Sequence, residues 1–549
     1  MSQKRSLSFV FLLSVVFFAL ALFRLGSRHV PQTYWQPQGP EDVVVVDLGM
    51  MQEVGRIACF AALAQGSSYA FEYSRDGILW EKGPELKLDW VFRWEYVDGH
   101  FLARYFRITP KDARGMLGEV AFFAGGDPHP LPIASYSPGG ESLFDEQHLV
   151  QFERSYLTGM YFDEIYHART AFEHLHRLPP YEWTHPPLGK VIIALGIVLF
   201  GMNPLGWRIM GVVFGTLLVP VVFALSRLFV RDTYALLATA LFTFDFMHFV
   251  QARIATVDTY VVFFTLLAYL FLFRYFLQRK VTLLFFSGLF FGLGAATKWT
   301  AVYAGVGMAV LFFVSHGRAI QEGTLSFADF SKRILPLSAV FFLLVPACLY
   351  FLSYFPYLLV PGYSFRDVLR LQISMYHYHR DLVATHPFAS PWWEWPIMAR
   401  PIWLYKGEGL PKGYISSIVS FGNPALWWIG GITVLFALVT PAFLKRQGVL
   451  WILVAFFSQY VPWVFVPRIT FIYHYYGCVP FLAVLLGMFF AWLEEDNPSI
   501  RVWRWVLLFG AVGLFVLFYP ILSGAVVRKT YVAEFLRWFP SWTFFSGGE

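Results

Sequence analysis

Apolar runs of about 18 to 22 residues recur along this chain, and each is long enough to cross a hydrocarbon core of roughly 30 Å as a helix. Such runs leave few folding options, because lipid offers no partner to a backbone N–H or C=O. A segment that crosses must bond its own backbone as a helix or close into a barrel. Composition agrees. Of 549 residues, 57% are hydrophobic, 20% aromatic and only 14% charged, where soluble domains carry about a quarter charged residues. The fold class is therefore a polytopic α-helical membrane protein.

Charge then orients the spans. Residues 31–150 hold 9 Lys+Arg and 17 Asp+Glu, a balance of −8, whereas the whole chain is +6. The compensating excess sits mostly in short loops between spans, the positive-inside pattern, and implies no nucleic-acid partner. With Lys4 and Arg5 inside, residues 7–25 run outward as an uncleaved anchor, since no small-x-small site follows. Further spans fall at about 207–227, 234–251, 258–277, 281–297, 300–315, 334–355, 424–443, 449–466, 472–492 and 502–523. These eleven satisfy every basic loop, with the N-terminus inside and the C-terminus outside. The apolar run Val191 to Gly201 has about 11 residues, too short to cross, and is placed as an outer, membrane-surface helix. The expected organisation is a first span (7–25), an outer β-domain (30–127) and outer juxtamembrane helices (150–204). Spans two to seven (205–355), an outer loop (356–422), spans eight to eleven (423–523) and an outer tail (524–549) follow. Cys59, Cys348 and Cys478 imply no disulfide framework.

Residues 40–125 have a different texture. Val43 to Gly49, Tyr69 to Ser74, Ala103 to Ile108 and Gly118 to Phe123 are strand-like, and Arg75-Asp76-Gly77 is a hairpin signal. Short strands between turns predict a β-sandwich. Val-Asp-Leu-Gly, Glu-Tyr-Ser-Arg-Asp-Gly-Ile-Leu-Trp and Ala-Arg-Tyr-Phe-Arg-Ile resemble the discoidin-like galactose-binding fold over about 85 residues. That resemblance implies a possible glycan ligand.

Chemistry-bearing residues cluster in the outer segments of this scheme. Asp163-Glu164 opens an amphipathic helix; the pair either favours the helix N-terminus through its dipole or supplies a general base to an incoming hydroxyl. His185 and Lys190 flank the turn His185-Pro186-Pro187, and Lys190 either snorkels or pairs with a phosphate. Arg253 and Asp258 share a short outer loop and read as a local ion pair or as ligand contacts. Lys298, between two short spans, needs an anionic partner, for which a lipid phosphate would serve. The aromatic loop with His386, Trp392, Trp393 and Trp395 reads as an interface anchor or a sugar-stacking surface. His377, His379 and His386 lack a carboxylate at metal-ligand spacing, so no metal is expected. Walker and dinucleotide motifs are absent from the sequence, and no cofactor is expected.

Together, Phe162-Asp163-Glu164, His185-Pro186-Pro187-Leu188-Gly189-Lys190, Trp207-Arg208, Arg253 through Asp258, Thr297-Lys298-Trp299, His386-Pro387 through Trp395-Pro396, Arg400-Pro401 and Tyr473-His474-Tyr475-Tyr476 resemble the protein O-mannosyltransferase family, within the C-type glycosyltransferase (GT-C) fold. The resemblance implies an inverting transfer of mannose from a polyprenyl or dolichyl phosphate, which is a substrate rather than a cofactor. The acceptors would be Ser/Thr hydroxyls of exported proteins. It further implies Asp163 as catalytic base and Glu164 as a positioning acid. His185, Lys190, Arg208, Arg253, Asp258, Lys298, His386, Trp392, Arg400, Arg468 and His474 would be donor-binding residues. The outer loop of about 65 residues is too short for the β-trefoil repeats of eukaryotic members, which implies a prokaryotic enzyme in a plasma membrane. The 30–150 insertion leaves an alternative open, a related lipid-phosphate-sugar transferase with another sugar or a polysaccharide or lipid acceptor. A non-catalytic glycan receptor or lipid-linked sugar transporter is the reading from another class.

Overall fold

A computed structural model describes residues 3–111 and 115–544. The chain opens with α1 (Gln3–Leu22), which packs on α4 (Pro204–Ser226) and α5 (Asp232–Thr243). Between α1 and α4 lie an antiparallel sheet and two helices, α2 (Glu164–Leu175) and α3 (Leu188–Phe200). After α5 come α6 (Phe246–Ala252), α7 (Asp258–Gln278), α8 (Val281–Thr297) and α9 (Ala301–Gln321).

Seven helices are long and apolar enough to cross a membrane, and eight if α5 and α6 form one bent span. Three other expected spans, at 281–297, 424–443 and 449–466, are apolar helices below that length: Val281–Thr297, Pro424–Val439 and Val449–Phe465. The expected straight span at 234–251 is broken, and α5 and α6 meet at 58°. Asp245 is the cause. Its Oδ2 caps α6 by accepting the His248 N–H at 3.1 Å, and its Oδ1 takes the Asn423 N–H and Trp427 Nε1–H, both at 2.9 Å. A buried carboxylate needs such donors, and they are available only where the helix is interrupted.

The sheet comprises β1 (Val44–Ala61), β2 (Ser68–Ser74), β3 (Glu81–Lys87), β4 (Arg93–Pro110), β5 (Leu117–Ala124) and β6 (Ser135–Tyr136). Its order is β3-β2-β4-β1-β5, with β6 also on β1. The four strand-like runs all become strands, two of them extended to 18 residues. Sequence pattern did not mark β3, whose Glu-Lys-Gly-Pro-Glu-Leu-Lys is mostly polar, and the turn at Asp76-Gly77 lies in a longer loop that joins it to β2. Register shifts between Asp47 and Gln52 and between Val54 and Arg56 interrupt β1.

Both faces of this sheet are covered. Ile57, Cys59, Ala61, Val120 and Phe122 close a core within the sheet region. Their alternates Ala58, Phe60, Ala121 and Phe123 pack in one cluster with Ile165, Ala168 and Phe172 of α2 and Ile193 of α3. The unbroken burial of β5 from Leu117 to Phe123 is the trace of that sandwiching, since alternate residues of a strand face opposite sides of the sheet. The sheet is thus a direct buttress for the helix that Asp163-Glu164 begins.

Regular elements form in the expected outer loop and in the described part of the expected tail, up to residue 544. Phe365–Asp381 is a helix, Ile402–Lys406 pairs with Ser417–Ser420, and tail residues Val527–Arg528 pair with Tyr414–Ile415.

Candidate active site

Phe162 has φ +49°, in the left-handed region, where a bulky residue is strained unless its surroundings fix it. That turn delivers Asp163 to the start of α2. Its carbonyl accepts the Tyr166 and His167 N–H groups at 3.0 and 3.2 Å, while its carboxylate makes no capping bond. The side chain is therefore not consumed by the helix end, and it stands near Asp258, Lys298 and Glu182. Burial first, then the Asp258 carboxylate, raises its pKa to about 7, against the pull of Lys298.

Asp258, at the start of α7, meets Lys298, just past α8, at 2.8 Å. Both line a cleft with Tyr303, Trp463, Tyr473 and His474. The cleft continues past Lys298 into a cavity of about 240 Å³ bounded by His185, Trp299, His379, Arg380 and Arg468. The guanidinium of Arg468 has no protein acceptor among the described residues. The Asp258–Lys298 pair and His474 thus line one part of the cleft, and His185, His379, Arg380 and Arg468 line its continuation.

Glu164 has a different role from its neighbour. Fully buried, it receives two N–H bonds from Arg208 at 2.7 Å and one from Ala255 at 3.1 Å. Arg208 spends its remaining donors on the carbonyls of Leu25, Tyr156 and Gly159 at 2.7–3.0 Å. This pair ties the end of α1, the approach to Asp163 and the loop before α7 into one knot. Arg253 likewise bonds the carbonyls of Ala21 and Phe23 at 2.8 Å, Arg24 at 3.1 Å and Leu20 at 3.2 Å. It satisfies the orphan C-terminal carbonyls of α1 and makes no pair with Asp258. Lys190 is wholly buried and bonds the Glu182 carboxylate, the Glu182 carbonyl at 2.9 Å and the His185 carbonyl at 2.7 Å. Arg208, Arg253 and Lys190, all expected at a donor phosphate, are thus engaged by protein acceptors and lie outside the cleft lining.

His474 lies on the cleft, stacked between Tyr473 and Trp395, with its ring 4.2 Å from that of Trp463. His386 packs on Phe471, and the Trp392 ring packs on Tyr460, whose hydroxyl bonds the Trp392 carbonyl at 2.9 Å. Arg400 donates to the Ala389 carbonyl at 2.7 Å. These three hold the 386–400 loop together beside the cleft. Sequence reasoning missed Glu182, a buried acid three residues before His185 and eight before Lys190; a carboxylate just ahead of two expected phosphate-binding residues was the available signal. The described residues contain one carboxylate group close enough to hold a metal, Glu119 with Asp145 and Glu146, in the sheet region away from this cleft.

Comparison with known proteins gives the arrangement a family. Residues 184–351 match the model of dolichyl-phosphate-mannose-protein mannosyltransferases, and residues 364–542 match that of the C-terminal four-span region of protein O-mannosyltransferases. The chain belongs to the protein O-mannosyltransferase family. Among curated relatives of this mannosyltransferase-family chain, the polyprenol-phosphate-mannose–protein mannosyltransferase of Mycolicibacterium smegmatis is 27% identical over 454 residues, 69% of this chain and 87% of that one. The protein of the same name from Corynebacterium glutamicum is 27% identical over 430 residues, 65% and 81%. The S. cerevisiae Pmt1-Pmt2 complex bound to its sugar donor shares the fold, with a TM-score of 0.61 at 13% identity over 70% of this chain and 89% of that one.

Proposed function

We propose that this protein is an inverting glycosyltransferase that moves mannose from a polyprenyl phosphate to Ser/Thr hydroxyls of exported proteins. Both curated relatives are named for mannose transfer from polyprenol-phosphate-mannose to protein. One observation carries the assignment to this site: an uncapped Asp163 carboxylate, raised to about 7, beside the Asp258–Lys298 pair of a cleft that continues to His185 and Arg468.

The chemistry follows from that arrangement. The donor phosphate lies toward Lys298 and Arg468, and the sugar lies between them and Asp163. Asp163 takes the proton of the incoming hydroxyl as its oxygen attacks the anomeric carbon from the side opposite the phosphate. The new C–O bond forms as the sugar–phosphate bond breaks, the configuration inverts, and the cations hold the charge that develops on the leaving phosphate. A base titrating near 7 is ionised often enough to act and basic enough to accept a proton. Glu164 and Arg208 act indirectly, by fixing the backbone that presents Asp163.

The site faces the exterior of the plasma membrane in this reading, with eleven spans counted by adding the three shorter apolar helices to the eight longer crossings. The sheet region is read as a discoidin-like module from the resemblance of its sequence runs at Val46–Gly49, Glu72–Trp80 and Ala103–Ile108, with a glycan as its ligand class. The test is transfer by purified protein from polyprenyl-phosphate-mannose to a Ser/Thr-rich peptide. Asp163→Asn lowers the rate by about 10²- to 10⁴-fold, the usual contribution of a general base, with the melting temperature unchanged. Product found only on lipid or polysaccharide would refute the protein acceptor.

A further inference from the structure

We propose that Glu182 is a positioning residue of this site. Its carboxylate, neutralised from behind by Lys190, turns the His185 ring so that Nδ1 bonds inward and Nε2 opens on the cleft, where His185 takes up a proton and binds the donor phosphate. The inference rests on the donor assignment made above.

The geometry distinguishes this cluster from the other buried pairs. Glu182 is 5% exposed and Lys190 fully buried. Glu182 Oε1 lies 3.0 Å from His185 Nδ1 and also accepts the Thr184 N–H at 2.8 Å. Its Oε2 takes the Lys190 ammonium, which in turn bonds the His185 carbonyl. One carboxylate thus fixes both the ring and the backbone of His185. With Nδ1 committed as a donor to a carboxylate, Nε2 is the nitrogen left for a ligand. It has no protein partner among the described residues, and the His185 side chain keeps 19% of its surface, on the cleft that also holds Lys298 and Arg468. Arg208 offers the contrast, since protein acceptors engage its guanidinium from several sides. A cluster that served stability alone would have no need to leave one ring nitrogen open beside two cations.

The charges around His185 explain why Glu182 is needed. Lys190 lies behind it, Lys298 and Arg468 share its cleft, and the rings of His167 from α2 and His379 from the Phe365–Asp381 helix stand 5.6 Å away. Both neighbouring rings are held neutral by burial, His379 near 4 and His167 well below the usual histidine range. Burial first, then Lys298 and Lys190, oppose an imidazolium and hold the His185 pKa down, and Glu182 is the nearby carboxylate that favours one. Arrival of a phosphodiester anion supplies the second. The proton comes from solvent and no covalent bond changes.

The experiment is a calorimetric titration of the full-length protein in detergent with a short-chain polyprenyl-phosphate-mannose, acceptor omitted, at pH 7 in buffers of different ionisation enthalpy. The diester stays monoanionic there, so proton uptake belongs to the protein. Wild type and Asp163→Asn take up a fraction of a proton on binding. Built on Asp163→Asn, in which the acid titrating near 7 is gone, Glu182→Gln and His185→Gln lose the uptake and bind about tenfold more weakly, one interaction between a charged imidazole and an anion. Glu182→Gln strands the buried Lys190 charge, so Glu182→Gln/Lys190→Gln, which removes both charges, is measured beside it and loses the uptake too. Uptake that persists in a folded Glu182 variant on that background, or that vanishes in Asp163→Asn alone, overturns the inference. So does a wild type that binds donor without uptake. Failure of wild type to bind the mannolipid removes the donor assignment itself, and this inference with it.

Discussion

Asp163 and Glu164 are adjacent, alike in charge and opposite in circumstance. Asp163 has its side chain free of the helix end and beside a like charge, whereas Glu164 is locked to Arg208. This difference gives two predictions with separable readouts. An acid raised to about 7 is protonated below that pH and useless as a base. The transfer rate therefore rises with pH through an inflection near 7. Asp258→Asn removes the like charge and frees Lys298 from its pair, and both effects favour the Asp163 carboxylate. The inflection then moves to lower pH; a pH–rate profile with an unmoved inflection would exclude Asp163 as the titrating group. Glu164→Gln instead leaves the Arg208 guanidinium buried without its countercharge, a loss of about 3–5 kcal/mol. It appears as a lowered melting temperature, where Asp163→Asn shows none. The sequence marked both acids and, of the cleft lining, His185, Asp258, Lys298, Arg468 and His474, because family motifs are strings of residue types. It could not separate cleft-facing from buried members. Lys190, Arg208 and Arg253 look like phosphate ligands in one dimension, and only the fold reveals which carbonyls and carboxylates had already claimed them.

Among the elements, α3 shows how closely the motif segments are fitted. Gly189, inside His-Pro-Pro-Leu-Gly-Lys, faces Val257 and Thr297. A Cβ built there would lie 2.5 Å from Val257 Cγ1 and 3.3 Å from Thr297 Cγ2. Those two neighbours immediately precede Asp258 and Lys298, so the glycine sets the spacing between α3 and the central ion pair of the cleft. Gly189→Ala drives these elements apart. Overpacking of this kind costs about 1–3 kcal/mol, and the measurement that checks it is a kcat loss with Asp258 and Lys298 chemically intact. A larger-to-smaller compensation, Val257→Ala on top of Gly189→Ala, restores part of the rate. At this scale the pattern of apolar runs placed the long helices well, since length and hydrophobicity are local properties. The bend between α5 and α6 escaped it, because a single Asp245 in an apolar run has no visible partner until Asn423 and Trp427 arrive from about 180 residues away. The helix at Phe365–Asp381 was hidden for a related reason. Its apolar stripe is interrupted by charged and aromatic residues that read more readily as an interfacial loop.

The whole molecule joins a sheet to a helical membrane bundle so that each covers the other. One face of the sheet closes on itself and the other packs against α2 and α3. The join is reinforced by Arg154, which bonds Glu95 of β4 at 2.6 Å and Glu408 at 2.9 Å. The sheet therefore lies on the same side of the bundle as Asp163, and a test of its orientation is a test of the active site's. In the orientation proposed above, the basic short loops stay inside and the sheet lies outside. A membrane-impermeant maleimide decides the matter. Cys59 and Cys478 are buried and Cys348 is exposed, so Cys348→Ser gives a quiet background. In it, His100→Cys reports the sheet, where the native side chain keeps 90% of its surface, and Arg333→Cys, at 67%, reports a basic loop at the start of the Phe327–Ser353 span. On intact cells position 100 is labelled and position 333 is not, and permeabilisation exposes position 333. The reverse pattern would place Asp163 and its cleft in the cytosol, out of reach of exported acceptors, and the proposed reaction would have no substrate to act on.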